Sequence, residues 1–196
     1  MKDYIKNIED AERRFFTEPV GFEKREDGAD ENVIEGYAAV FNKDSEDFGG
    51  WHERIAPGAF SDVLNDPALA LFNHDMNLVL GRNKVNVTLE QDDKGLRYKV
   101  KLPDTSVARD LRTLIKDEIV DKSSFAFTVK EQEWKHIEGR PSVRTIKKIK
   151  RLYDVSPVTS PAYRDTSVGA RSFQKEKSGL TADLIDFKLK ILKHEA

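Results

Sequence analysis

No cysteine occurs anywhere in the 196 residues. Its absence excludes disulfide bonds, thiolate zinc sites and a cysteine nucleophile together, and it fits a reducing compartment. No apolar run approaches the roughly 18 residues needed to span a bilayer, and Met1-Lys2-Asp3-Tyr4 does not open a secretion signal. A soluble intracellular protein with no membrane partner is therefore expected. An excess of one charge is also missing. Lys and Arg number 33 against 35 Asp and Glu, so nothing in the net charge of −2 calls for nucleic acid as the main partner. Histidine is scarce, at four residues, which leaves few candidates for a general base. The chain also lacks a phosphate-binding Gly-rich loop, a His-x-x-x-His pair for zinc and an obvious glycosidase carboxylate pair, so no cofactor and no metal are expected.

What is present is a charged chain with a modest core: 35% charged and 38% hydrophobic residues. Its length suits one substantial domain. Residues 1–30 read as a charge-dense arm, a short helix or extended segment followed by a loop. Residues 31–171 read as the folded domain, and 172–196 as a linker (Ser172 to Gly179) plus an amphipathic helix, Thr181 to His194.

Within the domain, runs rich in β-formers predict strands at 33–41, 51–56, 68–72, 78–80, 85–90, 96–102, 122–134 and 143–155. Gly36 marks a bulge or a close backbone approach, and Gln91-Asp92-Asp93-Lys94-Gly95 is a hairpin signal. Ala59–Leu64 reads as a short helix. Thr105–Ile119 reads as a longer one, with Val107, Leu111, Leu114 and Ile115 on one face and Asp104 or Thr105 as N-cap. Strands predominate and do not alternate with helices, so the expected fold is mainly β, a closed antiparallel barrel with peripheral helices.

Three polar residues stand out. Along 123–129 the period of two puts Ser123, Phe125, Phe127 and Val129 on one face and Ser124, Ala126 and Thr128 on the other. The first face is bulky and belongs in a core. The second is small, leaving an open surface at Ser124, which selects Ser124 over Ser123 as a nucleophile. An ordinary edge strand with a small face explains the same pattern. His74, in Leu71-Phe72-Asn73-His74-Asp75, is the preferred base. His194 lies in the tail, His136 beside a hairpin turn and His52 in a loop-flanked segment. Asp154 is placed to accept an imidazole N–H, or else merely balances Lys147, Lys148, Lys150 and Arg151.

These residues fall in a set of ordered motifs. Ile55-Ala56-Pro57-Gly58-Ala59-Phe60, Phe72-Asn73-His74-Asp75 with Leu80-Gly81-Arg82, Ser124-Phe125-Ala126-Phe127, and Asp154-Val155-Ser156-Pro157-Val158-Thr159-Ser160-Pro161-Ala162-Tyr163 together resemble the prohead (capsid maturation) proteases of tailed bacteriophages. The resemblance runs from about residue 30 to about 170. It implies a closed barrel ringed by helices, like that of the herpesvirus assemblin proteases. It implies a serine endopeptidase with Ser124 as nucleophile, His74 as base and Asp154 as third member, His136 being the alternative. The implied partners are the scaffold and the major capsid protein, with a homo-oligomer such as a dimer, and the implied location is the host cytoplasm inside the immature capsid. Oxyanion donors are expected from Pro161 to Arg171. Ala126 stands where the family usually has glycine, and Ser123 where it often has Met. The alanine favours a rival reading, a structural assembly protein without turnover. A nucleic-acid-binding barrel using 147–151 is a third reading. The tail either targets the enzyme to scaffold or capsid protein or docks on the barrel or at a dimer interface.

Overall fold

The computed structural model describes residues 11–16, 19–25, 28–136, 138–159 and 172–179. The chain divides into two compact units, Met1–Arg164 and Asp165–Ala196. In the first, the described residues form strands β1 Glu12–Phe16, β2 Gly21–Arg25, β3 Gly28–Val40, β4 Trp51–Ile55, β5 Leu69–Phe72, β6 Asp75–Arg82, β7 Val87–Gln91 and β8 Gly95–Lys101. Helix α1 Ser106–Lys116 follows, then β9 Lys122–Lys135 and β10 Ser142–Val158. The supposed loop of the N-terminal arm is partly strand, because β2 pairs with β3. In the second unit, 172–179 is helical rather than a linker; Gln174, Lys175, Glu176 and Lys177 are good helix formers. The helix expected at Thr181–His194 lies outside the described residues.

Two sheets carry the first unit. One runs β1-β9-β10-β5-β6, with β4 also on β10; the other runs β2-β3-β8-β7. The long β10 is antiparallel to β9 along one edge. Its other edge takes β4 and then β5, both in parallel. The expected closed antiparallel barrel is therefore corrected on two counts. Among the described residues neither sheet closes, each ending in distinct edge strands, and the larger sheet is mixed. Side-chain alternation tells which residues face a core, and it is the same for an open sheet and a closed one.

The core is shared by Ile34 of β3, Tyr98 of β8, Phe125 and Phe127 of β9, and Ile149 and Val155 of β10. The two sheets also touch through a polar contact, Tyr98 Oη to Ser123 Oγ at 2.8 Å. A Cβ on Gly36 would come within 3.0 Å of Ser123 Oγ and 3.2 Å of Tyr98 Oη, so Gly36 marks a close approach there. The segment expected as a helix at Ala59–Leu64 is instead a run of turns. Its bonds are short-range, Ser61 N to Gly58 O at 3.2 Å and Val63 N to Phe60 O at 2.9 Å. Gly58 at φ +82° lies outside helical space, and Ala59, Phe60 and Val63 are pulled inward. Helix α1 buries Ala108, Leu111 and Ile115, and its N-cap is Thr105, whose side chain accepts from Ala108 N.

A Cβ on Gly95 would sit 1.9 Å from the Ala39 carbonyl oxygen, a backbone atom that cannot yield without breaking the β3–β8 ladder. Gly95→Ala is expected to lower the unfolding free energy by about 3 kcal/mol or more in a urea titration; an unchanged midpoint would contradict this packing. Thr105→Ala should cost about 1 kcal/mol through loss of the cap. Asp104→Ala, which removes only an exposed pair with Arg109, should fall within about 0.5 kcal/mol of the parent.

Candidate active site

The alternation of β9 turns Ser123, Phe125 and Phe127 into the shared core, each fully buried. Ser124 and Ala126 face the opposite side of the sheet. Across the ladder Ser124 pairs with Ser156 and Ala126 with Asp154 of β10. A register shift between Leu152 and Asp154 lets the strand bury Leu152 in the core and still turn Asp154 to the outer face.

His74 arrives from a different direction. Strands β5 and β6 are joined by the two residues Asn73 and His74, with Phe72 paired to Asp75. Both loop residues have positive φ, 55° and 58°, the pattern of a type I′ turn, whose twist matches the flanking strands. Asn73 suits the first position, and His is among the few other residues that tolerate it. The turn is fastened to the end of β10. Asn73 N donates to Pro157 O at 3.0 Å, and Thr159 N donates to Asn73 Oδ1 at 3.0 Å.

The result is a continuous chain of short hydrogen bonds. His74 Nε2 lies 2.6 Å from Ser124 Oγ, and His74 Nδ1 lies 2.6 Å from Asp154 Oδ1. Asp154 Oδ1 also accepts from Ser156 Oγ at 2.7 Å. Ser156 is fully buried and fixes the carboxylate from behind. The sequence signal for it was its place two residues after Asp154, on the same strand face. With Nδ1–H given to Asp154, the lone pair of Nε2 points at the Ser124 hydroxyl, an arrangement able to accept that proton. The alternative role for Asp154, balancing the basic stretch, does not match its contacts. Lys147 pairs with Glu133, and Lys148 lies nearest Asp62.

The open surface expected beside Ser124 is absent: Ser124 is 4% exposed and Ala126 is 2% exposed. Strand β1 runs antiparallel along this edge of β9, with Phe15 opposite Ser124. Ser124 Oγ is 2.9 Å from the Arg14 carbonyl oxygen, and Ala11 packs with Ala126 and Tyr153. Ala126 is not among the residues with positive φ, so no glycine is required at this position, and the feature that favoured a non-enzymatic protein loses its footing.

On the core side of β1 lies a cluster of four buried charges that the sequence did not reveal. Arg14 donates to Glu53 through Nε at 2.6 Å and Nη2 at 3.0 Å, and through Nη2 to Glu12 at 2.5 Å. Arg144 donates to Glu12 at 2.6 and 2.8 Å and to Glu53 at 2.8 Å. Burial pushes the Glu12 carboxyl up, but the hydrogen bond from Arg144 and the charges of Arg14 and Arg144 outweigh it and hold it below the usual range. The same carboxylates hold the Arg14 guanidinium above its ordinary value against burial.

The remaining histidines lie elsewhere. His136 Nδ1 is 2.8 Å from Ser142 Oγ and its ring stacks on Trp134, while His52 Nδ1 is 2.9 Å from Ser45 O. His194 and the segment Pro161 to Arg171, expected to supply oxyanion donors, lie outside the described residues. Among the described residues no group of three or more His, Asp or Glu is arranged to hold a metal ion.

Comparison with curated proteins and with solved structures returned no match. Comparison with protein families did, over residues 20–179, for the caudovirus prohead serine proteases. That span contains Ser124, His74, Asp154 and Ser156 and covers most of the sequence, so the chain belongs to the caudovirus prohead serine protease family and is a serine endopeptidase.

Proposed function

We propose that Ser124 is the nucleophile, His74 the general base and Asp154 the residue that orients and charge-stabilises the imidazole. The observation that carries this reading is the pair of 2.6 Å contacts on the two nitrogens of His74. In the reaction His74 takes the Ser124 proton as Oγ attacks a peptide carbonyl, then returns it to the leaving amine. Water, deprotonated by the same imidazole, releases the acyl-enzyme. Asp154, held by Ser156, keeps the proton on Nδ1 and so leaves Nε2 as the acceptor. Backbone N–H groups are the expected oxyanion donors.

Membership of a prohead protease family is consistent with a role in capsid maturation and with capsid or scaffold proteins as partners. The finer reading is that the enzyme is enclosed in the immature capsid within the host cytoplasm. There it cleaves the scaffold, or the scaffolding segment of the major capsid protein, and finally itself, working as a homo-oligomer such as a dimer.

The histidines allow a sharp test. His136 lies twelve residues beyond Ser124, one past the end of β9, on the order of 40 Å at strand rise. His136→Ala should leave turnover unchanged. Asp154→Asn should lower kcat by about 10³–10⁴-fold, and Ser124→Ala should abolish fragmentation of co-expressed scaffold and of the chain itself. Loss of activity in His136→Ala with retention in Asp154→Asn would reverse the assignment of the third residue. Scaffold fragmentation that persists in Ser124→Ala would remove the nucleophile.

A further inference from the structure

A serine hydroxyl has one hydrogen to give. Ser124 Oγ has two acceptors in range, His74 Nε2 at 2.6 Å and the Arg14 carbonyl oxygen at 2.9 Å. If the hydrogen goes to Arg14, the imidazole must donate from Nε2 as well as from Nδ1, and it is then no base. The contact with β1 therefore opposes the chemistry that the rest of the arrangement supports.

Strand β1 also has the placement of an edge-bound peptide. It adds to the edge of the strand that bears Ser124, in register from Glu12 opposite Phe127 to Phe16 opposite Ser123. Edge addition is how proteins commonly hold extended peptides, the ladder giving affinity and alternate side chains giving specificity. Here the alternate side chains are Glu12 and Arg14, and each meets a fitted partner. Arg144 grips Glu12 with two donors, at 2.6 and 2.8 Å. Glu53 takes Arg14 with both carboxylate oxygens, at 2.6 and 3.0 Å. Phe48 and Phe127 flank the Arg14 guanidinium at 5.4 and 5.9 Å. Glu53 and Arg144 are also 2.8 Å from each other, so the receiving pair is balanced without β1. The family match begins at residue 20, after β1, while Glu53 and Arg144 fall inside it.

We infer that the β9 edge is the enzyme's peptide-binding edge, that Glu53 and Arg144 select an extended segment with glutamate and arginine two residues apart, and that in the resting enzyme β1 occupies this edge and blocks Ser124. This rests on Ser124 being the nucleophile. Productive binding of a substrate then requires β1 to leave, and the segment that replaces it carries the same Glu-x-Arg pattern or competes poorly.

The test uses the full chain and two readouts: the rate of fluorophosphonate labelling at Ser124, mapped by mass spectrometry, and fluorescence anisotropy of a labelled peptide copying residues 11–16. The double variant Glu12→Gln/Arg14→Gln weakens β1 from its own side and leaves Glu53 paired with Arg144, so no buried charge is orphaned. It is expected to label about tenfold faster or more than the parent, and to bind the peptide where the parent does not. A peptide with the residues matching Glu12 and Arg14 replaced by glutamine should bind far more weakly. Equal or slower labelling in a folded double variant, or equal binding of the two peptides, overturns the inference. Should the double variant not fold, Arg13→Pro puts a poor strand former in the middle of β1 while keeping all four charges, and the same acceleration is expected. If that variant does not fold either, β1 is an integral strand and the inference falls. Peptide binding is repeated in a Ser124→Ala background. Retained binding there, with no Ser124 labelling in any form, counts against the nucleophile and supports the binding edge.

Discussion

Across the β9–β10 ladder Ser124 faces Ser156, and Ala126 faces Asp154. Because side chains alternate with a period of two, a slip of one residue in this ladder would send Ser124 into the core and Phe125 out of it. The hydroxyl, the carboxylate and the serine behind it all depend on this one register. It is pinned from the core side by Phe125, Phe127, Ile149 and Val155, which have no other place to be buried. The apolar face of the strand thus sets the geometry of its polar face.

The imidazole is positioned by a second constraint. A histidine and an asparagine both at positive φ hold conformational strain, and such residues persist only when their surroundings over-determine them. The Asn73 bonds to Pro157 and Thr159 do this. They tie the turn to β10, the strand that carries Asp154, so imidazole and carboxylate move as one unit. The parallel pairing of β5 with β10 at Asp154 and Val155 closes the same loop through the backbone.

The strands and the face sorting of β9 were legible in the sequence because both rest on local periodicity. Helix α1 was legible for the same reason, though its ends were shorter than the pattern suggested. Closure of the sheets was not legible, since it depends on which edges meet, and the barrel expected both from the predominance of strands and from the resemblance was wrong. The turn at Asn73-His74 was hidden because its second residue is His rather than the usual Gly. The four-charge cluster was hidden because its members lie far apart in sequence, 39 residues for Arg14 and Glu53 and 132 for Glu12 and Arg144. In a chain with 35% charged residues, nothing local separates a buried Arg from an exposed one.

The chemistry of that cluster bears on how β1 is held. Burying four charges brings a desolvation cost that apolar side chains of similar size would avoid, so ion pairs are a poor choice for mere adhesion. They have a different property: when separated, each charge regains its hydration. An edge strand held by Leu or Val would, on release, leave an unpaired ladder beside an apolar patch, the combination that promotes aggregation. An edge held by Glu53 and Arg144 leaves a balanced, hydratable pair. The same pair disfavours a segment lacking the complementary charges, because such a segment strips its hydration without supplying the hydrogen bonds that Arg14 and Glu12 give it. Selectivity for the occupant and tolerance of its departure thus come from the same four side chains.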